Sequence, residues 1–311
     1  MRKLAFLFLL VAALITTVNA QNKKFLGRWD LTVKAPDHEY PSWLELTEKD
    51  GTLSASFVGR WGNARPLPKV AISSDTLTFA SPKEEEDAKA DMVYTGKLTG
   101  DSLSGTVNGP DGSSTWKWTA KRAPDLKETK SPKWGAPVEL FNHKDLTGWT
   151  MSDPKTSNPW KVVDGALTSP THGPEIMHGQ KFKDFKLHVE FNCGENSNSG
   201  VYLRGRYEVQ VETNSLQEPP SHHMGGVYGF IAPEPEQPRT PGTWQTYDIT
   251  LIGRTITVVQ NGKTIIDHKE IPGITGGALD SHEELPGPIY LQGSEDGHVA
   301  YRSIVLTPAE N

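Results

Sequence analysis

The stretch NSNSGVYLRGRYEVQVE, residues 196–212, decides how the chain is read. Val201, Leu203, Val209 and Val211 are apolar at alternate positions on either side of Gly205-Arg206, while Tyr202, Arg204, Glu208, Gln210 and Glu212 fill the opposite face. Side chains alternate across a strand with period two, so the apolar set marks a core face. The polar set is either a solvated sheet face or the floor of a site.

Working outward, similar segments surround this one. FKLHVEF (185–191) puts His188 and Glu190 opposite Leu187, Val189 and Phe191. In WQTYDITLIGRTITVVQNGKTIIDHKEI (244–271) the Asn261-Gly262 pair sits between β-branched runs and suits a type I′ hairpin turn. Strands of this number over residues 137–308 fit a two-sheet antiparallel sandwich. Trp149, Trp160 and Trp244 read as core residues of it, and Cys193, the single cysteine, as a small buried side chain.

Residues 24–122 form a separate series. GRWDLTV, SWLELTE, LSASFVG, TLTFA, MVYTGKLTG, SLSGTVNG and STWKWTA are divided by Asp-Gly and Gly-Asp turns, the pattern of a small antiparallel barrel or sandwich. The acidic run KEEEDAKAD (83–91) reads as a solvated loop or one helical turn, and the Pro- and Lys-rich residues 123–136 as a linker. The whole chain is therefore expected to be all-β. Residues 1–20 combine Arg2 and Lys3, an apolar run from Leu4 to Ile15 and the small-x-small element Val18-Asn19-Ala20, which reads as a secretory signal peptide. No cysteine follows it for a lipid anchor and no second apolar run follows, so the expected location is periplasmic or secreted, without a membrane anchor. With 32 basic against 38 acidic residues and no basic stripe, the chain is not expected to bind nucleic acid. No serine nucleophile elbow, phosphate-cradling loop or dinucleotide fingerprint occurs.

Seven segments in order carry a family resemblance: ELFNHKDLTGW, WKVVDGALTS, KDFKLHVEF, NSNSGVYLRGRYEVQV, GGVYG, PGTWQTYDITLIGRTITVVQNGKTIID and GPIYLQGSEDGHVAYRSIVLTP. Together, over residues 137–308, they resemble the 3-keto-disaccharide hydrolase domain, also described as 3-keto-glucoside 1,2-lyase or 3-keto-2-hydroxy-glucal hydratase. The resemblance implies a concanavalin A-like jelly roll with the site on its concave sheet. The chain departs from the family at GSEDGH (293–298), which places Glu295 only approximately, and at YRSI (301–304), which keeps Arg302 but lacks the usual Asn.

The implied chemistry is distinctive. A ketone at C3 of a glycoside acidifies the proton on C2; its removal gives an enolate that expels the C1 substituent, and water then adds to the enone. The reaction calls for a base near C2, a group that stabilises the enolate and an acid for the leaving group. Read alone, the polar strand faces are most simply solvated. The resemblance turns Glu190, Arg204 and Glu208 into catalytic candidates: Arg204 to hold substrate or enolate charge, Glu208 or Glu190 as base or metal ligand. Tyr202, Gln210, Tyr228, Glu295 and Arg302 are the candidates for substrate contact. One of His222 and His223, with His188 and a carboxylate, could assemble a divalent-metal site; no other cofactor is indicated. The expected partner is an oxidised glycoside, and its ketone implies a separate sugar 3-dehydrogenase upstream. The alternative is a non-catalytic, lectin-like carbohydrate-binding protein, since this fold serves both.

Overall fold

The computed structural model describes residues 22–83, 89–127, 132–213 and 217–310. The signal-peptide stretch, most of the acidic run and the centre of the linker lie outside the described residues. Two compact units are present, Met1–Ala123 and Pro124–Asn311. No helix among the described residues is long and apolar enough to cross a membrane.

The first unit is one antiparallel sheet of nine strands, in the order Arg65–Pro66, Thr52–Val58, Glu39–Lys49, Gly27–Lys34, Thr115–Arg122, Ser102–Asn108, Met92–Thr99, Thr76–Ser81, Lys69–Ser73. The outermost strands are joined in the chain by Leu67 and Pro68 alone, so the sheet must curl until its ends nearly meet. Alternate side chains point into the enclosed core, where Trp29, Phe57, Phe79, Tyr94 and Trp118 are buried and Phe79 stacks on Tyr94 at 4.6 Å.

The second unit is a sandwich of two antiparallel sheets. The larger runs Lys161–Val163, Ala166–Ser169, Val299–Glu310, Phe185–Cys193, Gln245–Ile252, Thr255–Gln260, Lys263–Glu270, with short strands 133–134 and 138–139 added on Val299–Glu310. The smaller runs Trp149–Met151, Ile176–Phe182, Gly287–Leu291, Asn198–Leu203, Tyr207–Glu212. Their apolar faces pack together: Leu187, Val189 and Phe191 from one meet the layer of Val201, Leu203, Val209 and Val211 from the other, all fully buried. Hydrogen bonds that cross the core include Tyr247 Oη to the Gln210 carbonyl at 2.7 Å and Ser199 Oγ with Tyr301 Oη at 3.1 Å.

Local chemistry explains the turns. Asn261 and Gly262 both take left-handed φ, +51° and +77°, and link Gln260 to Lys263 as a two-residue hairpin. Cys193 is buried, and burial beside the Glu212 charge pushes its thiol up to about 12, which leaves it unreactive. Trp149 and Trp160 are core residues, but Trp244 is 38% exposed. It immediately precedes strand Gln245–Ile252, and the Arg302 guanidinium covers its ring at 4.5 Å.

Candidate active site

The outer face of the smaller sheet gathers polar groups that the core face lacks. Register pairs Asn198 with Glu212, Gly200 with Gln210 and Tyr202 with Glu208, so these six share one face, and Tyr290 joins it beside Tyr202. Glu208, Gln210 and Glu212 are nearly inaccessible, at 3%, 4% and 4% exposure. A solvated sheet face would leave such side chains in water. Here two loops cover them.

Residues 271–286 cover one end. Thr275 Oγ1 accepts the Glu208 backbone N–H at 3.1 Å, and the Gly276 carbonyl reaches Tyr202 Oη at 2.9 Å. Residues 218–231 cover the other. Gln210 N–H donates to the Gly226 carbonyl and Tyr228 N–H to the Glu208 carbonyl, at 2.9 and 3.1 Å, so this loop pairs with the free edge of strand Tyr207–Glu212. Gly226 lets this loop fold tightly on itself: a Cβ there would lie 2.8 Å from the Ser221 carbonyl and 3.0 Å from that of His223. Between loop and sheet lies a pocket of about 170 Å³ lined by Asn198, Gln210, Glu212, Glu218, His222 and Tyr228.

Glu208 is the most perturbed carboxyl on this face. Burial, reinforced by the charges of Glu295 and Glu175, raises it from 4.5 to about 8. A hydrogen bond from Tyr202 works against that rise, and burial outweighs it. Tyr202 Oη lies 2.9 Å from Glu208 Oε2 and 2.9 Å from the Gly276 carbonyl. A phenol has one proton and a carbonyl can only accept. If Tyr202 donates to Gly276, Glu208 must donate to Tyr202. A phenol donating to Glu208 instead would lower its affinity for the proton, and would leave the Gly276 carbonyl without that bond.

The carboxyl lies over Gly200, where a Cβ would fall 2.0 Å from Oε1. Gln210, with its amide turned so that nitrogen faces acceptors, donates to Glu208 Oε1 at 3.3 Å and to the Ser199 carbonyl at 3.0 Å. Gln210 thereby connects Glu208 to the pocket. Burial and neighbouring carboxylates push the Tyr228 phenol up, so it is a neutral donor. Glu295, at the exposed rim, accepts from Asn198 at 2.8 Å and Gln292 at 3.2 Å.

The remaining predicted residues are elsewhere. Arg204 does not join Tyr202 and Glu208. It has φ +56°, followed by Gly205 at +67°, and this left-handed turn breaks the strand alternation and sends the side chain toward the core. There it is fully buried, donating to the Gly253 carbonyl at 2.6 Å and to Tyr207 Oη at 3.1 Å. Tyr207 in turn donates to Glu283, which pairs with Arg254 at 3.2 Å.

Glu190 and His188 lie on the outer face of the larger sheet, across the core from Glu208. Glu190 pairs with Arg302, and His188 Nδ1 lies 2.7 Å from Asp248. Glu190, Arg204 and Glu208 therefore do not converge, because strand alternation separates inner from outer faces but cannot say which outer face. His223 spends both ring nitrogens, on Glu236 at 2.7 Å and the Glu218 carbonyl at 2.9 Å. With His188 on the other sheet, His188, His222 and His223 do not form a donor set. Among the described residues no group of three or more His, Cys, Asp or Glu side chains is placed to hold a metal ion.

Sequence reasoning missed Asn198, Glu218 and the contribution of Gly276. Asn198 sits at the same period-two spacing as Gly200 and Tyr202, and the four-residue spacing of Glu218 and His222 hinted at their pairing. Nothing in the sequence pointed to Gly276.

Residues 136–307 match the model of a family described as the 3-keto-alpha-glucoside-1,2-lyase-like domain. Solved structures that resemble the chain include two proteins of Parabacteroides distasonis provisionally named glycosyl hydrolases. One is 27% identical, covering 60% of this chain and 96% of its own, with a TM-score of 0.47. Another is 23% identical, covering 55% and 98%, with a TM-score of 0.44. A carbohydrate-binding module of Bacillus subtilis is 11% identical, covering 52% and 92%, with a TM-score of 0.33. Comparison with curated proteins returns no match.

Proposed function

The chain belongs to the 3-keto-alpha-glucoside-1,2-lyase-like family and is carbohydrate-active, and from that premise we propose an exported enzyme that cleaves 3-keto-glycosides by elimination and rehydration. The observation that carries this reading is Glu208: a carboxyl whose burial raises its affinity for a proton, joined through Gln210 to a pocket of about 170 Å³. A lectin-like site has no use for such a group. An elimination needs one, because the departing C1 oxygen must be protonated as its bond to carbon breaks.

Glu208 supplies that proton in the first step and, as the carboxylate, takes one from the water that adds to C1 in the second. Tyr202 and Gln210 hold it in place. Asn198 and Tyr228 are neutral donors in the pocket, suited to sugar hydroxyls and to the oxygen that gains charge as C2 loses its proton, while Gln210 spends its N–H groups on Glu208 and Ser199. The ketone is made by another enzyme that oxidises the C3 hydroxyl. Residues 1–20 carry the export signal. No step is routed through a metal, since the predicted histidines are not a donor set.

The test is to incubate the protein with a 3-keto-disaccharide and with its unoxidised parent. Cleavage of the keto sugar alone is expected, reduced about 100-fold or more by Glu208→Gln and left within about two-fold by Glu190→Ala on the far sheet. Tight binding of the keto sugar without turnover would sink the enzymatic reading and leave the lectin-like one.

A further inference from the structure

With Glu208 carrying its proton, the base that opens the reaction must come from another group. Four ionisable side chains line the pocket: Glu212, Glu218, His222 and Tyr228. Glu212 Oε1 is committed to the Met224 N–H at 3.2 Å and to Arg239 at 2.9 Å. Tyr228 is a phenol held neutral. Glu218 lies 3.3 Å from His222 Nδ1 through Oε2.

His222 is differently placed. Its Nε2 is withdrawn from water and has no hydrogen-bond partner. Leaving a buried acceptor unpaired is unfavourable, and such an orphan in a pocket residue asks for an explanation. The ring is fixed from two sides, by Glu218 at Nδ1 and by Tyr228, whose ring centroid lies 4.4 Å away at 36°. Because Nδ1 faces a carboxylate, that nitrogen carries the hydrogen and Nε2 holds the lone pair. Burial lowers the affinity of the imidazole for a second proton, against the pull of Glu218, which keeps the ring neutral and the lone pair free. Tyr228 links both ends of the site, bonding through its N–H to the Glu208 carbonyl and packing its tilted ring on His222.

We propose that His222 Nε2 is the base that removes the C2 proton, with Glu218 as its positioning residue. The assignment rests on the 3-keto-glycoside reading above and supplies the partner that reading leaves open.

The steps balance. Nε2 takes the proton from C2, and the C–H electron pair becomes the enolate. The enolate reforms the C3 carbonyl as the C1–C2 double bond forms and the C1–O bond breaks, and Glu208 protonates the departing oxygen. The products are an alcohol and a 2-hydroxy-enone. Water then adds to C1, giving a proton to Glu208, while the imidazolium returns its proton to C2. Both residues end as they began. The oppositely perturbed environments of a proton-holding carboxyl and a neutral imidazole are what an acid and base pair requires at one pH.

The experiment uses the full chain and a 3-keto-glucoside, protiated or deuterated at C2. His222→Gln is expected to lower kcat about 100-fold or more with little change in KM and to raise the C2 isotope effect above that of the wild type. Added imidazole should restore part of the rate to His222→Ala. Glu218→Gln, an exposed change that spares the fold, should lower kcat by about ten-fold in the same pattern. Wild-type turnover with His222→Gln and Glu218→Gln both within about three-fold of it overturns the assignment while leaving the enzymatic reading intact. A wild type that fails to cleave the keto sugar overturns the enzymatic reading and this assignment with it.

Discussion

Glu208 couples the pocket to pH through a proton that the unfolded chain would not keep. Its carboxyl moves from 4.5 to about 8 on folding, mainly by burial. Between those values the native state holds more protons than the unfolded one, so stability falls as pH rises from about 4.5 to about 8 and is unaffected by this group outside that window. Replacement by Gln removes the titration: the urea midpoint of the wild type should decline across the window and that of Glu208→Gln should decline less. An equally steep variant would place the proton on another residue. Period-two alternation made Glu208, Gln210 and Tyr202 legible in the sequence as one polar face. Their burial was not, because it depends on Thr275 and Gly276, which reach them from a loop far along the chain. The phenol shared by Glu208 and a backbone carbonyl is a tertiary fact with no local signature.

Among the elements, the hairpin 198–212 and the loop 271–286 act as one piece. The loop is held by Leu279 N–H on the Gly205 carbonyl at 2.8 Å, by Arg206 on Asp280 at 2.7 Å, and by Glu283 between Tyr207 and Arg254. Glu283 is fully buried and Arg254 nearly so. Removing Glu283 leaves the buried Arg254 only the half-exposed Glu270 at 3.9 Å, so Glu283→Ala should destabilise the second unit by about 3 kcal/mol in urea unfolding. A change under 1 kcal/mol would mean that water enters and solvates Arg254. The strands here were legible because alternation and the Asn261-Gly262 turn are local. Alternation alone puts Arg204 on the polar face, but two consecutive left-handed residues, Arg204 and Gly205, end the alternation there and turn its side chain inward. Alternation places Glu190 outward, as it is, but sequence periodicity carries no information on which of two outward faces receives a side chain.

At the scale of the whole molecule, the boundary between units falls at Ala123 and Pro124, and the family match lies within the second unit. Each unit has its own buried core. A truncated chain beginning at Pro124 is therefore expected to fold, and to cleave a 3-keto-disaccharide with kcat within about three-fold of the full chain. A soluble, cooperatively unfolding fragment without turnover would assign the first unit a part in the reaction. The same sandwich that carries the pocket also protects its handedness. Arg204 reaches from the turn of the smaller sheet to the Gly253 carbonyl in a turn of the larger one. A hairpin that slipped by a single residue would exchange its two faces, burying Glu208 against the core and offering Val209 to the sugar. Such a slip would draw the buried guanidinium away from the Gly253 carbonyl, so Arg204 works as a stop against sliding. One residue inserted between 204 and 206 would turn the site inside out while leaving every pocket residue in the chain.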